Sequence, residues 1–170
     1  MASLHWVFGY GSLIWRQDFP FLEARPASVR DWARRFWQGS HDHRGVVDAP
    51  GRVVTLVEAP GERCYGRAFL VEERVFEHLD HREKNGYERL DLPVIFDDGV
   101  ATATTYVAPI GNNAYLGPAP LDDMIAQIER SAGESGSNLE YVLELARALE
   151  DLGADDPHVK ALARRLEGRP

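Results

Sequence analysis

The order of the periodic segments constrains the fold of this chain more than any other feature. Strand-type patterns fill residues 6–107, with one short helical pattern among them, and helical spacing runs from residue 121 to the end. Strands first and helices last favour an α+β fold over a doubly wound α/β sheet. Because about six strands in 170 residues can curl into a closed sheet, we predict one domain, residues 1–170, with a small β-barrel and helices packed outside it.

Four of the strand patterns pair into predicted hairpins. Residues 51–57 and 64–71 are rich in β-branched and aromatic side chains, and they flank the turn-type segment 59–62. Residues 91–96 and 101–107 flank an Asp-Asp-Gly turn in the same way. Each pair is expected to form two adjacent antiparallel strands.

The helical pattern between these hairpins covers residues 72–82 and has the apolar spacing of a short amphipathic helix. Asn85 and Gly86 both accept left-handed conformations and are expected to end it. Glu83 therefore lies at the helix end or on the following turn. Its position between two basic residues is, taken alone, typical of a solvated surface glutamate.

The last third of the chain is predicted to be helical. Apolar stripes occur at residues 121–128 and again at residues 139–149. A final helix is expected to begin at Pro157, because proline suits the first helical position, with Asp155 or Asp156 as its cap.

The composition excludes several classes of protein. Hydrophobic residues make up 44% of the chain, yet no stretch approaches the ~20 apolar residues that a membrane-spanning helix needs. A net charge of −8 argues against binding to nucleic acid or to anionic membranes. The N-terminus lacks the cationic region of a secretory signal, and the single cysteine, Cys64, is expected to be a small buried side chain. We therefore expect a cytoplasmic protein whose partners are small molecules or other proteins.

The first strand ends in a turn that suits ligand binding. Residues 6–15 read Trp-Val-Phe-Gly-Tyr-Gly-Ser-Leu-Ile-Trp, a buried-strand pattern that breaks into glycines. Gly9 and Gly11 permit positive φ and close approach of the main chain, so that consecutive N–H groups can bind an anion or a carbonyl oxygen. A dinucleotide fingerprint would need glycine where Ile14 stands, and no P-loop motif occurs. A tight turn after a core strand is the alternative interpretation.

A locally basic segment follows and contains neighbouring histidines. Its arginines suit an anionic ligand, or equally a solvated strand face, and are Arg30, Arg34, Arg35 and Arg44. His41 and His43 share a strand face, but no third ligand follows at compact spacing, so we expect no metal site. A structural or substrate-shaping loop is favoured there.

Six motifs, taken together and in order, resemble those of a known family. They read Val-Phe-Gly-Tyr-Gly-Ser-Leu-Ile-Trp at 7–15, Arg-Phe-Trp-Gln-Gly-Ser at 35–40, Asp-His-Arg-Gly at 42–45, Pro-Gly-Arg-Val-Val-Thr-Leu at 50–56, Arg-Glu-Lys at 82–84 and Tyr-Leu-Gly-Pro-Ala-Pro-Leu at 115–121. The chain resembles the ChaC-type, glutathione-specific γ-glutamylcyclotransferases over nearly its whole length. This resemblance implies a small mixed β-barrel flanked by helices, and cleavage of glutathione to 5-oxoproline and cysteinylglycine without a cofactor.

The same resemblance assigns roles to individual residues. Glu83 is implied as the general acid/base. The implied substrate-binding residues are Phe8, Gly9, Tyr10, Gly11, Ser12, Leu13 and Tyr115. To these we add the basic and aromatic stretch from Arg35 to Arg44, and Arg52, as candidates to bind the glycine carboxylate of glutathione. Glutathione is the expected partner, and the sequence does not indicate an oligomeric state.

The chemistry itself needs few residues. The α-amine of the γ-glutamyl group must lose a proton before it attacks its own γ-carbonyl carbon, and one carboxylate can pass that proton to the leaving nitrogen. We expect partial burial, with Tyr87 and Phe76 nearby, to raise the pKa of Glu83. Two alternatives stay open: a cyclotransferase for γ-glutamyl amino acids or amines, and a non-catalytic γ-glutamyl-binding regulator.

Overall fold

Five strands close into a β-barrel in the computed structural model, which describes residues 3–84 and 86–168. The strands are β1 (Leu4–Gly9), β2 (Glu23–Ser40), β3 (Gly51–Glu72), β4 (Glu88–Ile95) and β5 (Val100–Val107). Their order around the barrel is β1, β3, β2, β4, β5. β1 and β5 close the barrel in parallel, with Trp6 beside Ala103, whereas the other pairs are antiparallel. The predicted α+β barrel is confirmed, with one strand fewer than expected.

The predicted hairpin between residues 51–57 and 64–71 is wrong, because both segments belong to the single strand β3. β3 runs antiparallel to β2, and the chain reverses between them at residues 41–50. The turn-type residues form a bulge instead: the register shifts around Asp31, and both Asp31 (φ 67°) and Gly61 (φ 86°) are left-handed. The Gly61 N–H donates to Asp31 Oδ1 over 2.9 Å. The bulge bends the ribbon without reversing the chain.

Helix α1 (Val75–Arg82) links this ribbon to the hairpin of β4 and β5, as predicted. Its buried residues are Val75, Phe76 and Leu79. The predicted stop at Asn85 lies outside the described residues, whereas Gly86 is left-handed with φ 91°. Glu83 is the residue directly after the helix, and its N–H donates to the Leu79 carbonyl over 2.9 Å. This bond fixes the backbone that carries the Glu83 side chain.

Three helices follow the barrel: α2 (Leu121–Arg130), α3 (Asn138–Asp151) and α4 (Pro157–Leu166). A small hairpin of β6 (Ala132–Gly133) and β7 (Gly136–Ser137) joins α2 to α3. Of the two predicted caps of α4, the structure selects Asp156, whose Oδ1 accepts from the Val159 N–H over 3.2 Å. The proline at the first position of α4 is also confirmed.

The helices pack on the outside of the β2–β3 ribbon. Their core includes Ile128, Leu145 and Leu162, all fully buried. Phe36 of β2 and Val54 of β3 belong to the same cluster, which joins the two layers. None of the described helices has the length and apolar character that crossing a membrane requires. The layered packing leaves the end of β1 and the end of α1 beside each other, and the candidate site lies there.

Candidate active site

A cavity of about 160 Å³ lies between the end of β1, the end of α1 and the β2–β3 loop. The residues predicted from the first strand all line it: Phe8, Gly9, Tyr10, Gly11, Ser12 and Leu13. Glu83 also lines it, together with Tyr87, which the sequence had placed near Glu83. Phe76 packs instead in the core beneath α1. The fold thus brings together the predicted acid/base and the predicted glycine-containing turn.

The two glycines of the turn are required by close packing rather than by positive φ, so that part of the prediction is wrong. A Cβ on Gly9 would lie 2.6 Å from the Leu13 Cβ, and a Cβ on Gly11 would lie 2.9 Å from Val54 Cγ2. Gly11 has a φ of −128°, and Gly9 is also absent from the left-handed residues of the described chain. The glycines therefore let the turn fold tightly against β3.

A single 3₁₀ turn at Ser12–Ile14 follows these glycines. Gly11 precedes it and provides no side-chain cap. The first N–H groups of such a turn have no partner within it. Across the described chain, no acceptor is hydrogen-bonded to the N–H of Ser12 or Leu13. These amides at the cavity wall are available to a carboxylate or an oxyanion.

The Glu83 carboxylate is enclosed but incompletely neutralised. Its side chain is 19% exposed, and Arg82 Nε lies 3.8 Å from its Oε1. Burial raises the pKa of Glu83; Arg82 opposes this effect, and the negative charges of Asp18 and Asp42 add to it. A carboxylate whose pKa is raised by its surroundings is suited to accept and return a proton.

Arg82 connects α1 to the turn after β1. Its Nη1 donates to Asp18 Oδ1 over 2.7 Å and to the Arg16 carbonyl over 3.0 Å. Its Nη2 donates to Ser12 Oγ over 3.0 Å. Although burial acts in the opposite direction, Arg82 helps to lower the pKa of Asp18. The charge of Arg82 is thus engaged mainly by Asp18, which leaves Glu83 with a weaker counterion.

Three tyrosines line the cavity with neutral hydroxyl groups, and of these Tyr10 and Tyr141 are buried and Tyr87 is half-buried. Tyr10 donates to the Tyr106 carbonyl over 2.6 Å, and Tyr87 donates to the Val54 carbonyl over 2.9 Å. Tyr141 accepts from the Val54 N–H over 3.3 Å. Burial raises the pKa of Tyr10 and Tyr87 far above the usual value and that of Tyr141 to about 12. These side chains shield Glu83 from solvent without adding charge.

The β2–β3 loop forms the remaining wall with the β6–β7 hairpin. The N–H of Glu134 donates to the Asp42 carbonyl, and that of Ser135 donates to the His43 carbonyl, each over 2.9 Å. Side-chain ligand atoms of Asp42, His43 and Glu134 lie within 4.8 Å of one another, a grouping that the sequence did not predict. His41 lies outside this group, and His43 is bonded to Ser135 Oγ at 2.8 Å.

The structure places Arg52 and Tyr115 away from the cavity wall. The Arg52 guanidinium donates to Gln127 Oε1 over 2.8 Å and to the carbonyls of Phe36 and Gly117, each over 2.9 Å. Tyr115 forms an isolated β-bridge with Gln38. Both residues hold the loop before α2 against the ribbon, and neither is among the residues that line the cavity.

Two residues of the cavity had no signal in the sequence. Asp18 and Tyr106 come from separate segments and belong to none of the six motifs, so only the closed barrel shows that they meet. Asp42 belongs to the motif at 42–45, but the sequence assigned it no role. Arg44 lies in the basic segment, and the sequence did not distinguish it from the other arginines there. The long β2–β3 ribbon is what carries Arg44 and Asp42 to the end of α1.

Comparison with solved structures defines the class of the fold. The crystal structure of a γ-glutamylcyclotransferase specific to glutathione from yeast has a TM-score of 0.89 to this chain, at 29% identity over 96% of each chain. A structure of a γ-glutamyl cyclotransferase with 16% identity has a TM-score of 0.60, over 94% of this chain and 86% of that chain. The molecule therefore has the γ-glutamylcyclotransferase fold.

Sequence comparison narrows this class to one family. The Arabidopsis thaliana γ-glutamylcyclotransferase 2-3 is 43% identical, over 95% of this chain and 87% of that protein. The Homo sapiens glutathione-specific γ-glutamylcyclotransferase 1 is 41% identical, over 92% of this chain and 76% of that protein. Residues 5–169 match the family described as ChaC-like protein, and the chain belongs to that family. The resemblance drawn from the motifs is confirmed.

Proposed function

We propose that this chain is a glutathione-specific γ-glutamylcyclotransferase, a lyase that releases 5-oxoproline and cysteinylglycine. The observation that carries the proposal is the Glu83 carboxylate, enclosed with a raised pKa beside the turn at residues 8–13. Membership of the ChaC-like family and the names of the relatives supply the substrate. The expected cytoplasmic location stays a prediction.

In the proposed mechanism Glu83 moves two protons, one after the other, from the α-nitrogen of the γ-glutamyl group to the cysteine nitrogen. Its ionised carboxylate takes a proton from the α-ammonium group of the γ-glutamyl moiety, and the freed amine attacks the γ-carbonyl carbon. The new C–N bond closes the five-membered ring. Glu83 gives this proton to the departing cysteine nitrogen as the original amide bond breaks. The carboxylate then takes the second proton from the ring nitrogen, which leaves the neutral lactam of 5-oxoproline, and passes it to the released amine, so atoms and charge balance without water or cofactor.

Positioning of the substrate supplies the rest of the rate enhancement. The attack is intramolecular, so holding the γ-glutamyl group in a folded geometry removes much of the entropic barrier. The free N–H groups of Ser12 and Leu13 are suited to hold the α-carboxylate or the oxyanion that forms on the γ-carbonyl. The hydrogen bond from Arg82 Nη2 to Ser12 Oγ holds this turn beside the end of α1, which carries Glu83.

The decisive test replaces Glu83 by glutamine, which has nearly the same shape but does not accept the proton. Purified Glu83→Gln and wild type are incubated with glutathione, and 5-oxoproline and cysteinylglycine are followed by mass spectrometry. Loss of the acid/base is expected to lower kcat by about 10²- to 10⁴-fold. Glu77→Gln is the matched control, because Glu77 is an exposed glutamate on the same helix.

Other outcomes of this assay separate the alternatives. Turnover by Glu83→Gln at the wild-type rate would remove Glu83 from the acid/base role. Wild-type turnover of γ-glutamylalanine but not of glutathione would retain the reaction and change the substrate. No product from either substrate would favour a non-catalytic γ-glutamyl-binding protein. If Glu83 is the acid/base, kcat/KM should fall toward low pH with a midpoint above the usual glutamate pKa of 4.5, because burial raises the pKa of Glu83.

A further inference from the structure

Arg44 is a buried cation on the wall of the cavity. Its side chain is 6% exposed, and its Cζ lies 5.5 Å from the centroid of the Tyr141 ring. Its backbone N–H donates to Ser40 Oγ over 2.9 Å, which fixes the loop at this point. Burial lowers the pKa of Arg44, so the fold makes its charge less favourable than in water. A buried charge of this kind requires a compensating partner.

The protein provides only part of that compensation. Arg44 Nη1 donates to the Ser137 carbonyl over 3.0 Å and lies 3.6 Å from Glu140 Oε2, on a side chain that is 55% exposed. In the part of the chain that the structure describes, no acceptor is hydrogen-bonded to its Nε or Nη2. Arginine has five N–H donors, so most of its bonding capacity is left for the cavity.

A second cation contributes to the electrostatics of the cavity. Arg16, an exposed residue, lines the same cavity, and its charge lowers the pKa of Arg44 further. Two guanidinium groups that line one cavity can together bind an anion. The planar fork of arginine matches a carboxylate through two parallel hydrogen bonds.

The other buried arginine near the β2–β3 ribbon shows the contrast. Arg52 uses its side-chain donors on three protein acceptors outside the cavity. Arg82 lines the cavity, but its charge is engaged by Asp18. Arg44 alone of these three combines burial, position on the cavity wall and donors that the described residues leave open.

We propose that Arg44, assisted by Arg16, binds the glycine carboxylate of glutathione and so determines the preference for glutathione over smaller γ-glutamyl compounds. This inference rests on the proposed function. The γ-glutamyl end must lie at Glu83, because its amine gives up the proton there. Glu83 comes from the end of α1, whereas Arg44 comes from the β2–β3 loop and stacks on α3. With the γ-glutamyl end at Glu83, the glycine carboxylate is the anionic group of glutathione that is left to bind Arg44.

The test is a cycle that combines one enzyme variant with one substrate change. kcat/KM is measured for glutathione and for its glycinamide analogue, which replaces the glycine carboxylate by a neutral amide, with wild type and with Arg44→Gln. Wild type is expected to prefer glutathione by about 10- to 100-fold, the effect of losing a charge-assisted bidentate contact. Arg44→Gln is expected to turn over both substrates at the rate that wild type shows with the amide.

Arg52→Gln is the matched control, because it removes a buried guanidinium outside the cavity. It should retain the preference for glutathione. Arg44→Lys keeps a positive charge and replaces Arg44→Gln if that variant does not fold; it should reduce the preference without abolishing it, because lysine lacks the fork.

Four results would overturn the inference. Equal loss with both substrates in Arg44→Gln would show that Arg44 binds another part of the substrate or supports the fold. Loss of the preference in Arg52→Gln would transfer the role to Arg52. A wild type without preference would leave the cyclotransferase activity intact and remove carboxylate recognition, whereas a wild type that releases no 5-oxoproline from either substrate would overturn both proposals.

Discussion

Two regions of the molecule bury polar and charged side chains but differ in how many protein partners these side chains have. One is the cavity, and the other is the contact between barrel and helices, which we call the joint. The joint consists of Arg34, Arg52, Asn138, Asp156 and His158. Each of these side chains has a protein partner at hydrogen-bond distance. In the cavity, by contrast, the Glu83 carboxylate and the Arg44 guanidinium are enclosed, and their oppositely charged neighbours lie 3.8 Å and 3.6 Å away, beyond hydrogen-bond distance. Hydrogen bonds to protein partners stabilise the buried polar groups of a folded scaffold, and donors or acceptors without such partners can bind a substrate.

This difference predicts two kinds of variant. Substitutions in the joint should lower the free energy of unfolding and leave the chemistry of the folded fraction nearly unchanged. Substitutions in the cavity should reduce activity and leave stability unchanged or higher, because an uncompensated buried charge is a cost to the fold. The four predictions below test this separation in order of decreasing effect.

The largest effect is expected at the ion pair of the joint. Arg34 is 1% exposed, its Nη1 donates to Asp156 Oδ2 over 2.8 Å, and its Nε donates to the Tyr10 carbonyl over 2.7 Å. Asp156→Asn keeps a capping side chain on α4 but leaves Arg34 without its counterion. The free energy of unfolding should fall by about 4 kcal/mol in urea denaturation.

The control for that variant is Asp155→Asn, which removes a neighbouring exposed carboxylate that contacts Lys160. It should change stability by less than about 1 kcal/mol. If Asp156→Asn were as stable as wild type, full compensation in the joint would not be a source of stability. If it folded but lost turnover of glutathione, the joint and the cavity would not be separate.

The next effect is expected at Asn138, which lies fully buried where α3 meets β3. Its Oδ1 accepts from the Arg52 N–H over 2.7 Å, and its Nδ2 donates to the Arg52 carbonyl over 2.8 Å. Asn138→Ala leaves two buried backbone groups of β3 unpaired and should cost about 3 kcal/mol of stability by denaturant titration. Asn113→Ala, at an exposed asparagine, should be close to neutral.

Sequence reasoning predicted the local elements correctly and failed where distant segments meet, whereas the acid/base role of Glu83 stays a prediction. Local patterns identified α1 and the β4–β5 hairpin because their signals lie within about ten residues. The bulge at Asp31 and Gly61 could not be predicted from turn-type residues alone, since only the partner strand decides whether such residues bend or reverse a chain. For the same reason Arg44 and Arg52 were indistinguishable as sequence, although Arg44 lines the cavity and Arg52 donates to three protein acceptors outside it.

A pH-dependent effect of intermediate size is expected at His158. Its Nε2 accepts from the Phe36 N–H over 3.0 Å, which requires an unprotonated nitrogen. Burial lowers the pKa of His158 from the usual 6.5 to about 4. Between those values the unfolded chain binds the proton and the folded chain does not, so this part of the stability is complete above pH 6.5 and is lost as pH falls to about 4.

His158→Gln should therefore reduce the acid sensitivity of the protein. Over that interval wild type should lose stability on the order of 2 kcal/mol relative to the variant, measured by urea denaturation at a series of pH values. Glutamine can still accept from the Phe36 N–H through its side-chain oxygen, so the variant should fold at pH 7. Parallel loss of stability in both proteins would assign the acid sensitivity to other groups.

The smallest effect is expected at Glu83 in the cavity, where a substitution should raise the stability of the protein. Because burial raises the pKa of Glu83, the folded chain binds its proton more tightly than the unfolded chain does. Stability from this group is therefore complete below the usual pKa of 4.5 and is lost as pH rises through the raised value. Glu83→Gln removes the ionised carboxylate, so its Tm at neutral pH should exceed that of wild type by a few degrees.

Differential scanning calorimetry should show that this gain disappears below the usual glutamate pKa, while Glu77→Gln matches wild type throughout. A lower Tm for Glu83→Gln at neutral pH would mean that the carboxylate supports the fold, and the contrast between joint and cavity would then fail at the residue on which the proposed chemistry depends.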